Sequence, residues 1–105
     1  MFSTSSIKDK LISTLGLAYR ANKILIGFDQ ISKELKKKHT SCVFTSLSGE
    51  SDSLRQIKNK CDYYKIPLYD VLTCEELSKI CSKNNVKTIS LQDDGFYSLV
   101  KKYID

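Results

Sequence analysis

Four short runs rich in β-branched and aromatic residues alternate along this chain with segments whose apolar residues recur every three or four positions. This alternation is the strongest constraint on the fold, because a period of 2 and a period of 3.6 cannot stand in for one another. The first helical segment carries Ile7, Leu11, Leu15 and Ala18 and runs to about Tyr19 or Arg20. Ser6 and Asp9 are spaced as a capping box at its start, with Asp in place of the usual Glu. Asn22 tolerates a left-handed backbone, so Ala21-Asn22 is the expected exit into a strand from Lys23 to Ile26. Gly27 breaks that strand and opens a second helix, with Ile31 and Leu35 facing inward and Gln30, Ser32, Lys33, Lys36 and Lys37 facing outward.

A second strand is expected from Ser41 to Leu47, ended by a loop at Ser48-Gly49-Glu50. Ser51 or Ser53 caps a third helix striped by Leu54, Ile57, Cys61 and Tyr64, and Pro67 stops it. Leu68 to Leu72 is the third strand. Thr73-Cys74-Glu75-Glu76 matches a capping box for a short helix carrying Leu77, Ile80 and Cys81. Val86, Ile89 and Leu91 mark a fourth strand, and Asp93-Asp94-Gly95 turns the chain into a last helix along Phe96, Leu99, Val100, Tyr103 and Ile104. Strands alternating with helices imply a sheet covered on both faces, an α/β/α sandwich, and 105 residues suit one domain with neither repeat nor linker.

The formal charge of +5 is unevenly placed. Residues 1–40 hold eight Lys/Arg against three Asp/Glu, whereas residues 41–105 hold nine of each. A localised excess points to a polyanionic partner, since binding follows local potential rather than the total; solubility is the plainer alternative. Cys42, Cys61, Cys74 and Cys81 lie too far apart for a metal knuckle, and His39 is the one histidine available to assist them. They are expected to be small core residues in a reducing compartment. No apolar run approaches the ~20 residues that a membrane span needs. Met-Phe-Ser-Thr-Ser-Ser lacks the basic start and apolar block of a signal peptide, so a cytoplasmic location is expected.

The segment Gly16–Lys38 concentrates the candidate chemistry. A strand, a glycine turn and a helix start bring unpaired backbone N–H groups and the positive end of a helix dipole together, an arrangement that accepts phosphate. Lys33 lies one turn into that helix and Lys36, Lys37 and Lys38 follow, so the cluster is expected to form one RNA-facing corner. The three later lysines have a second reading, as cations stabilising a helix C-terminus. Phe28 is the aromatic residue best placed to meet RNA, while Phe44, Tyr64, Tyr69, Phe96 and Tyr103 are expected in the core. His39 has no Ser, Cys or carboxylate partner at a motif spacing and is expected to be a helix-end residue.

Three words in order carry a family resemblance. Leu15-Gly16-Leu17-Ala18-Tyr19-Arg20-Ala21-Asn22-Lys23, Lys60-Cys61-Asp62-Tyr63-Tyr64-Lys65-Ile66-Pro67 and Asp94-Gly95-Phe96 resemble those of the kink-turn-binding ribosomal protein superfamily, the L-seven-Ae/L-thirty-e group, in its small bacterial YlxQ-like branch. The similarity runs from about Leu11 to the end. It implies a three-layer α/β/α fold with a four-stranded mixed sheet and RNA binding at one end. The family's Gly-x-Asn-Glu-x-x-Lys signature is met here by Gly27 and Lys33, with Asp29 and Gln30 at the other two positions. Ionised Asp29 offers acceptors only and repels a nearby phosphate, so its two readings are base contact and helix cap; Gln30 keeps an acceptor and adds donors for a base edge. The second family contact region falls on Ser82-Lys83-Asn84-Asn85, polar here and suited to phosphate or sugar rather than to stacking.

The candidate RNA-binding set is therefore Asn22, Lys23, Gly27, Phe28, Asp29, Gln30, Lys33, Lys36, Lys37, Lys83 and Asn84. The expected function is a small non-enzymatic RNA-binding protein acting on kink-turn-like or ribosomal RNA. Expected partners are that RNA and ribosomal or ribonucleoprotein components, with no membrane, metal or cofactor, and the chain is expected to be a monomer. The alternative is a ribosome-associated adaptor that joins such complexes without touching RNA.

Overall fold

In the computed structural model, residues 3–37, 39–47 and 52–104 are described, with side chains from Ile7 onward. Lys38, the Ser48-Gly49-Glu50 loop, a Ser51 cap and the Ser6 side chain lie outside that description. In chain order the elements are α1 (Ser3–Arg20), β1 (Ile24–Ile26), α2 (Phe28–Lys37), β2 (Cys42–Ser46), α3 (Asp52–Tyr64), β3 (Leu68–Leu72), α4 (Cys74–Cys81), β4 (Thr88–Leu91) and α5 (Asp94–Ile104). The sheet has the order β1-β4-β2-β3. β4 is antiparallel to both its neighbours, and β2 runs parallel to β3, so the four-stranded sheet is mixed.

Strand alternation divides the core into two layers. Cys42 and Phe44 of β2 pack with Leu11, Leu15 and Ala18 of α1, Leu77 and Ile80 of α4, and Val100 of α5. Val43, between them, faces the other way onto Ile31 and Leu35 of α2 and Ile57 and Cys61 of α3. Every residue of β2 is buried, because helices cover it on both sides and strands flank it on both edges. Three helices on one face and two on the other complete the α/β/α sandwich.

Three helices end in the same way, on a residue that is not glycine. Asn22 (φ 62°), Lys65 (φ 59°) and Ser82 (φ 52°) adopt the left-handed conformation just past α1, α3 and α4. Behind each, one amide reaches back five residues and the next-inner amide reaches back three: Lys23 to Ala18 and Asn22 to Tyr19, Ile66 to Cys61 and Lys65 to Asp62, Lys83 to Ser78 and Ser82 to Lys79. These paired bonds occupy carbonyls that a helix end otherwise leaves open. The exit expected at Asn22 is thus present. α3, however, is closed by Lys65 before Pro67 is reached.

Helix starts differ more from expectation. α1 begins at Ser3, so Ser6 lies within the helix; a run of four hydroxyl residues offers several equivalent starting points. Ser53 lies inside α3 and therefore does not cap it. Gly27 (φ 100°) supplies the carbonyl that accepts the first bond of α2, from the Ile31 amide at 3.1 Å. Asp29 is consequently the second residue of α2 and not its cap. Asp93 caps α5, its carboxylate accepting from the Phe96 amide at 2.8 Å. Val86 is buried but precedes β4, and Leu99 is 44% exposed because the buried stripe of α5 passes through Val100.

The capping box of α4 is complete. The Thr73 hydroxyl accepts from the Glu76 amide at 3.1 Å and the Glu76 carboxylate accepts from the Thr73 amide at 2.8 Å. Partial burial opposes the charge on Glu76, but the Thr73 amide and Lys8, 3.1 Å away on α1, outweigh it and hold its pKa below the ordinary 4.5. That stabilisation is present above pH 4.5 and is lost as pH falls through the lowered folded value. Thr73→Ala is expected to cost about 1 kcal/mol in a urea denaturation measured at neutral pH; a loss under a few tenths would show that the box contributes nothing.

All four cysteines are free thiols, and Cys42, Cys61 and Cys81 are buried. Burial, and secondarily the neighbouring Cys61, push Cys42 up from 9.0 to about 12. The unfolded thiol ionises near 9 while the folded one stays protonated, so Cys42 costs stability as pH rises past 9. The stability advantage of wild type over Cys42→Ala should therefore shrink between pH 9 and pH 11, by up to about 1.4 kcal/mol per pH unit. A constant gap in denaturant titrations at the two pH values would refute this.

Gly16 stands apart. A glycine inside a helix costs about 0.8–1 kcal/mol relative to alanine, and a Cβ built there meets no heavy atom within 4 Å. Nothing in the fold requires it.

Candidate nucleic-acid interface

Strand direction decides which segments meet. β1 and β2 are both antiparallel to β4, and β3 is parallel to β2, so β1, β2 and β3 all point to one end of the sheet. α2, α3 and α4 each follow one of those strands and hence begin at that end. Three helix N-termini, with their partial positive charge, gather outside the C-terminal ends of three strands, where open α/β sheets bind ligands. β4 enters from the same end, so the loop 82–87 that leads into it is brought alongside.

The result is a cleft of about 410 Å³. One wall is Ile26, Gly27 and Phe28; another is Ser53 and Leu54; the third is the chain from Lys83 to Thr88. Gly27 permits the turn from β1 into α2, since a backbone at φ 100° strains any residue bearing a Cβ. Phe28 is half-buried and packs against the α2/α3 core, so only part of its ring faces the cleft. Asp29, Gln30 and Lys33 project from the exposed side of α2; a helical pitch of about 3.6 residues places them on one face, just outside the cleft.

The first turns of α2, α3 and α4 carry their own carboxylates, Asp29, Asp52, and Glu75 with Glu76. These already offset part of the helix dipoles. Positive charge at the cleft mouth therefore depends on Lys83 and Lys87, both exposed. Asn85, part of the Ser82-Lys83-Asn84-Asn85 contact region expected from the resemblance, lines the cleft, and Lys87 joins it although the sequence did not single it out. The signal available for Lys87 was its position at the entry to a strand, which identifies it only once the direction of that strand is known.

The lysine-rich corner expected from Gly16–Lys38 is not one corner. Gly27, Phe28, Asp29, Gln30 and Lys33 stand with Lys83 and Asn84 at the cleft end. Lys36 and Lys37 lie at the far end of α2, roughly 12–14 Å from Phe28 at 1.5 Å per residue, and Lys37 sits 3.4 Å from Glu34. Asn22 and Lys23 are at that opposite end too: the Gln92 amide donates to the Lys23 carbonyl, and the Gln92 side chain donates to the His39 carbonyl just past α2. Sequence proximity grouped these residues, and one ten-residue helix with one strand separates them.

A larger cleft, about 740 Å³, opens at that opposite end, lined by Glu34, His39, Thr40, Ser41 and the Gln92–Gly95 segment. Glu34, Asp93 and Asp94 make it unfavourable for phosphate. Its hydroxyl and imidazole are also not wired together: Ser41 donates to Asp94 at 2.6 Å while His39 Nδ1 faces Glu34 at 3.5 Å. Among the described residues no three His, Cys, Asp or Glu side chains group as a metal site, and no helix is long and apolar enough to cross a membrane.

The chain is similar to known proteins in sequence and in fold. A family profile described as the ribosomal protein L7Ae/L30e/S12e/Gadd45 family matches residues 9–100. The RNA-binding protein YlxQ of Bacillus subtilis (strain 168) is 29% identical over 91 residues, covering 87% of this chain and 91% of that protein. The RNA-binding protein YlxQ of Enterococcus faecium is 24% identical over 98 residues, covering 93% and 94%. A structure of a protein of unknown function from Bacillus halodurans C superposes with a TM-score of 0.84 at 29% identity, covering 91% of this chain and 97% of that one. The Giardia lamblia 15.5kD RNA binding protein shares the fold, with a TM-score of 0.75 at 12% identity over 94% and 85% of the two chains.

Proposed function

Because the chain belongs to the ribosomal protein L7Ae/L30e/S12e/Gadd45 family, we propose that it is a small non-enzymatic RNA-binding protein, one domain throughout, that grips structured, kink-turn-like or ribosomal RNA at the start of α2. RNA binding as such is supported by relatives named RNA-binding proteins. The observation that carries the placement is the meeting of Gly27–Phe28 with Lys83–Asn84 across one cleft. Those two segments are 55 residues apart in sequence and line one cleft only in the folded chain.

Each part has a role that its chemistry supports. Gly27 keeps the helix mouth open to an approaching sugar-phosphate backbone. Lys33, Lys83 and Lys87 supply phosphate contacts, and Gln30 and Asn84 offer paired donors and acceptors to base edges. Asp29, an acceptor on the same face, favours base amino groups and opposes close phosphate, which biases the site toward unpaired or sheared bases over a continuous backbone ridge.

The test is filter binding with a kink-turn RNA and with an uninterrupted duplex of equal length. Wild type is expected to prefer the kink-turn, and Lys33→Ala to weaken that binding about tenfold, the worth of one charge-assisted hydrogen bond. Equal affinity of wild type and Lys33→Ala would remove α2 from the site.

A further inference from the structure

The word Leu15-Gly16-Leu17-Ala18-Tyr19-Arg20 is only half explained by packing. Leu15 and Ala18 are fully buried on the inner face of α1, but Leu17 is 54% exposed and Gly16 faces open space where a side chain would stand. The missing side chain leaves a groove of about 430 Å³ between α1 and α4. Its walls include Ile12, Leu17, Tyr19 and Ile80, and Arg20 and Lys79 stand at its rim. Among the described residues no carboxylate lines it, and neither Arg20 nor Lys79 is held in an ion pair.

A poor helix former inside the longest described helix, four residues before its end, an exposed leucine beside it and two cations without ion pairs over an apolar floor describe one kind of occupant. Nucleic acid does not fit well. Ile12, Leu17 and Ile80 give the groove an aliphatic patch that sugar and phosphate do not match, and the groove belongs to the α1/α4 layer, whereas the Gly27 cleft lies against α2 and α3. We propose that the groove at Gly16 docks an acidic segment of a partner protein, which inserts a leucine or isoleucine against α1 and sets carboxylates against Arg20 and Lys79. Gly16 lets that segment approach the helix closely, Leu17 and Tyr19 flank the inserted side chain, and the two cations fix its polarity and exclude basic competitors. The partner then sits on one layer while RNA occupies the other, linked by the turn from Ser82 to Lys83 that borders both.

The experiment pans a random peptide library, displayed on phage, against the whole chain with excess Gly16→Leu protein as competitor. Enriched peptides are expected to be acidic and to carry leucine or isoleucine. Their binding, followed by fluorescence anisotropy, should fall at least tenfold with Gly16→Leu and with Arg20→Glu/Lys79→Glu, and weaken with salt. Gly16→Ala should raise the thermal midpoint, since the fold makes no use of the glycine. RNA affinity of Gly16→Leu should equal that of wild type, which separates this surface from the RNA site. The proposal is overturned by the absence of enrichment, by neutral or basic peptides, by binding insensitive to both variants, by a lowered midpoint for Gly16→Ala, or by loss of RNA binding in Gly16→Leu.

Discussion

Reversing the charge of Lys83 and Lys87 together is expected to lower affinity for structured RNA by roughly 100-fold or more while leaving the fold intact. Both side chains are exposed and neither takes part in an ion pair among the described residues, so their reversal breaks no salt bridge of the fold. Each charge-assisted hydrogen bond to phosphate is worth about 1.5–3 kcal/mol, and two of them exceed the roughly 2.8 kcal/mol that a 100-fold change represents. Introduced glutamates add repulsion to that loss. The dependence of log K on log salt should flatten by about two counterions' worth, which a uniform weakening by misfolding would not produce. Reversal of Lys36 and Lys37, at the other end of α2, is the control and should change affinity far less. Comparable losses from the two pairs would mean that the whole helix, and not its N-terminal cleft, faces the RNA.

Phe44→Ala is expected to cost about 3–5 kcal/mol. Phe44 is fully buried in the central strand, hydrogen-bonded neighbours lie on both sides, and its ring centroid is 5.5 Å from that of Tyr69. Removing it leaves a void where α1, α4 and α5 meet the sheet, and a rigid strand cannot move in to fill it. Against a total of about 5–15 kcal/mol for a domain, the loss is large enough to unfold part of the population at 37 °C. Urea denaturation gives the value directly; a change below 1 kcal/mol would show that the surrounding layer collapses onto the site.

Local rules read from the residues succeeded where a short segment decides its own conformation. Thr73 and Glu76 form the capping box that their spacing announces, and Asn22 takes the left-handed exit that its short polar side chain tolerates, although Lys65 and Ser82 take the same exit without that signal. Burial followed periodicity for the same reason: Ile31 with Leu35, and Leu54, Ile57 and Cys61, are stripes that one helix face must hide. Starts were less legible where several capping residues stand in a row, as in the first turn of α1, or where a glycine carbonyl does the work, as at Gly27.

The amino-acid order by itself determined the alternation of strands and helices, the two-faced burial of the sheet and the family, since each rests on patterns of neighbouring residues. It left open which residues share a surface. Only the pairing of β4 antiparallel to β1 and β2 brought Lys83 and Lys87 to Gly27, and only the length of α2 carried Lys36 and Lys37 away from it. Charge is written residue by residue, but electric potential belongs to positions in space, and strand direction is what converts one into the other.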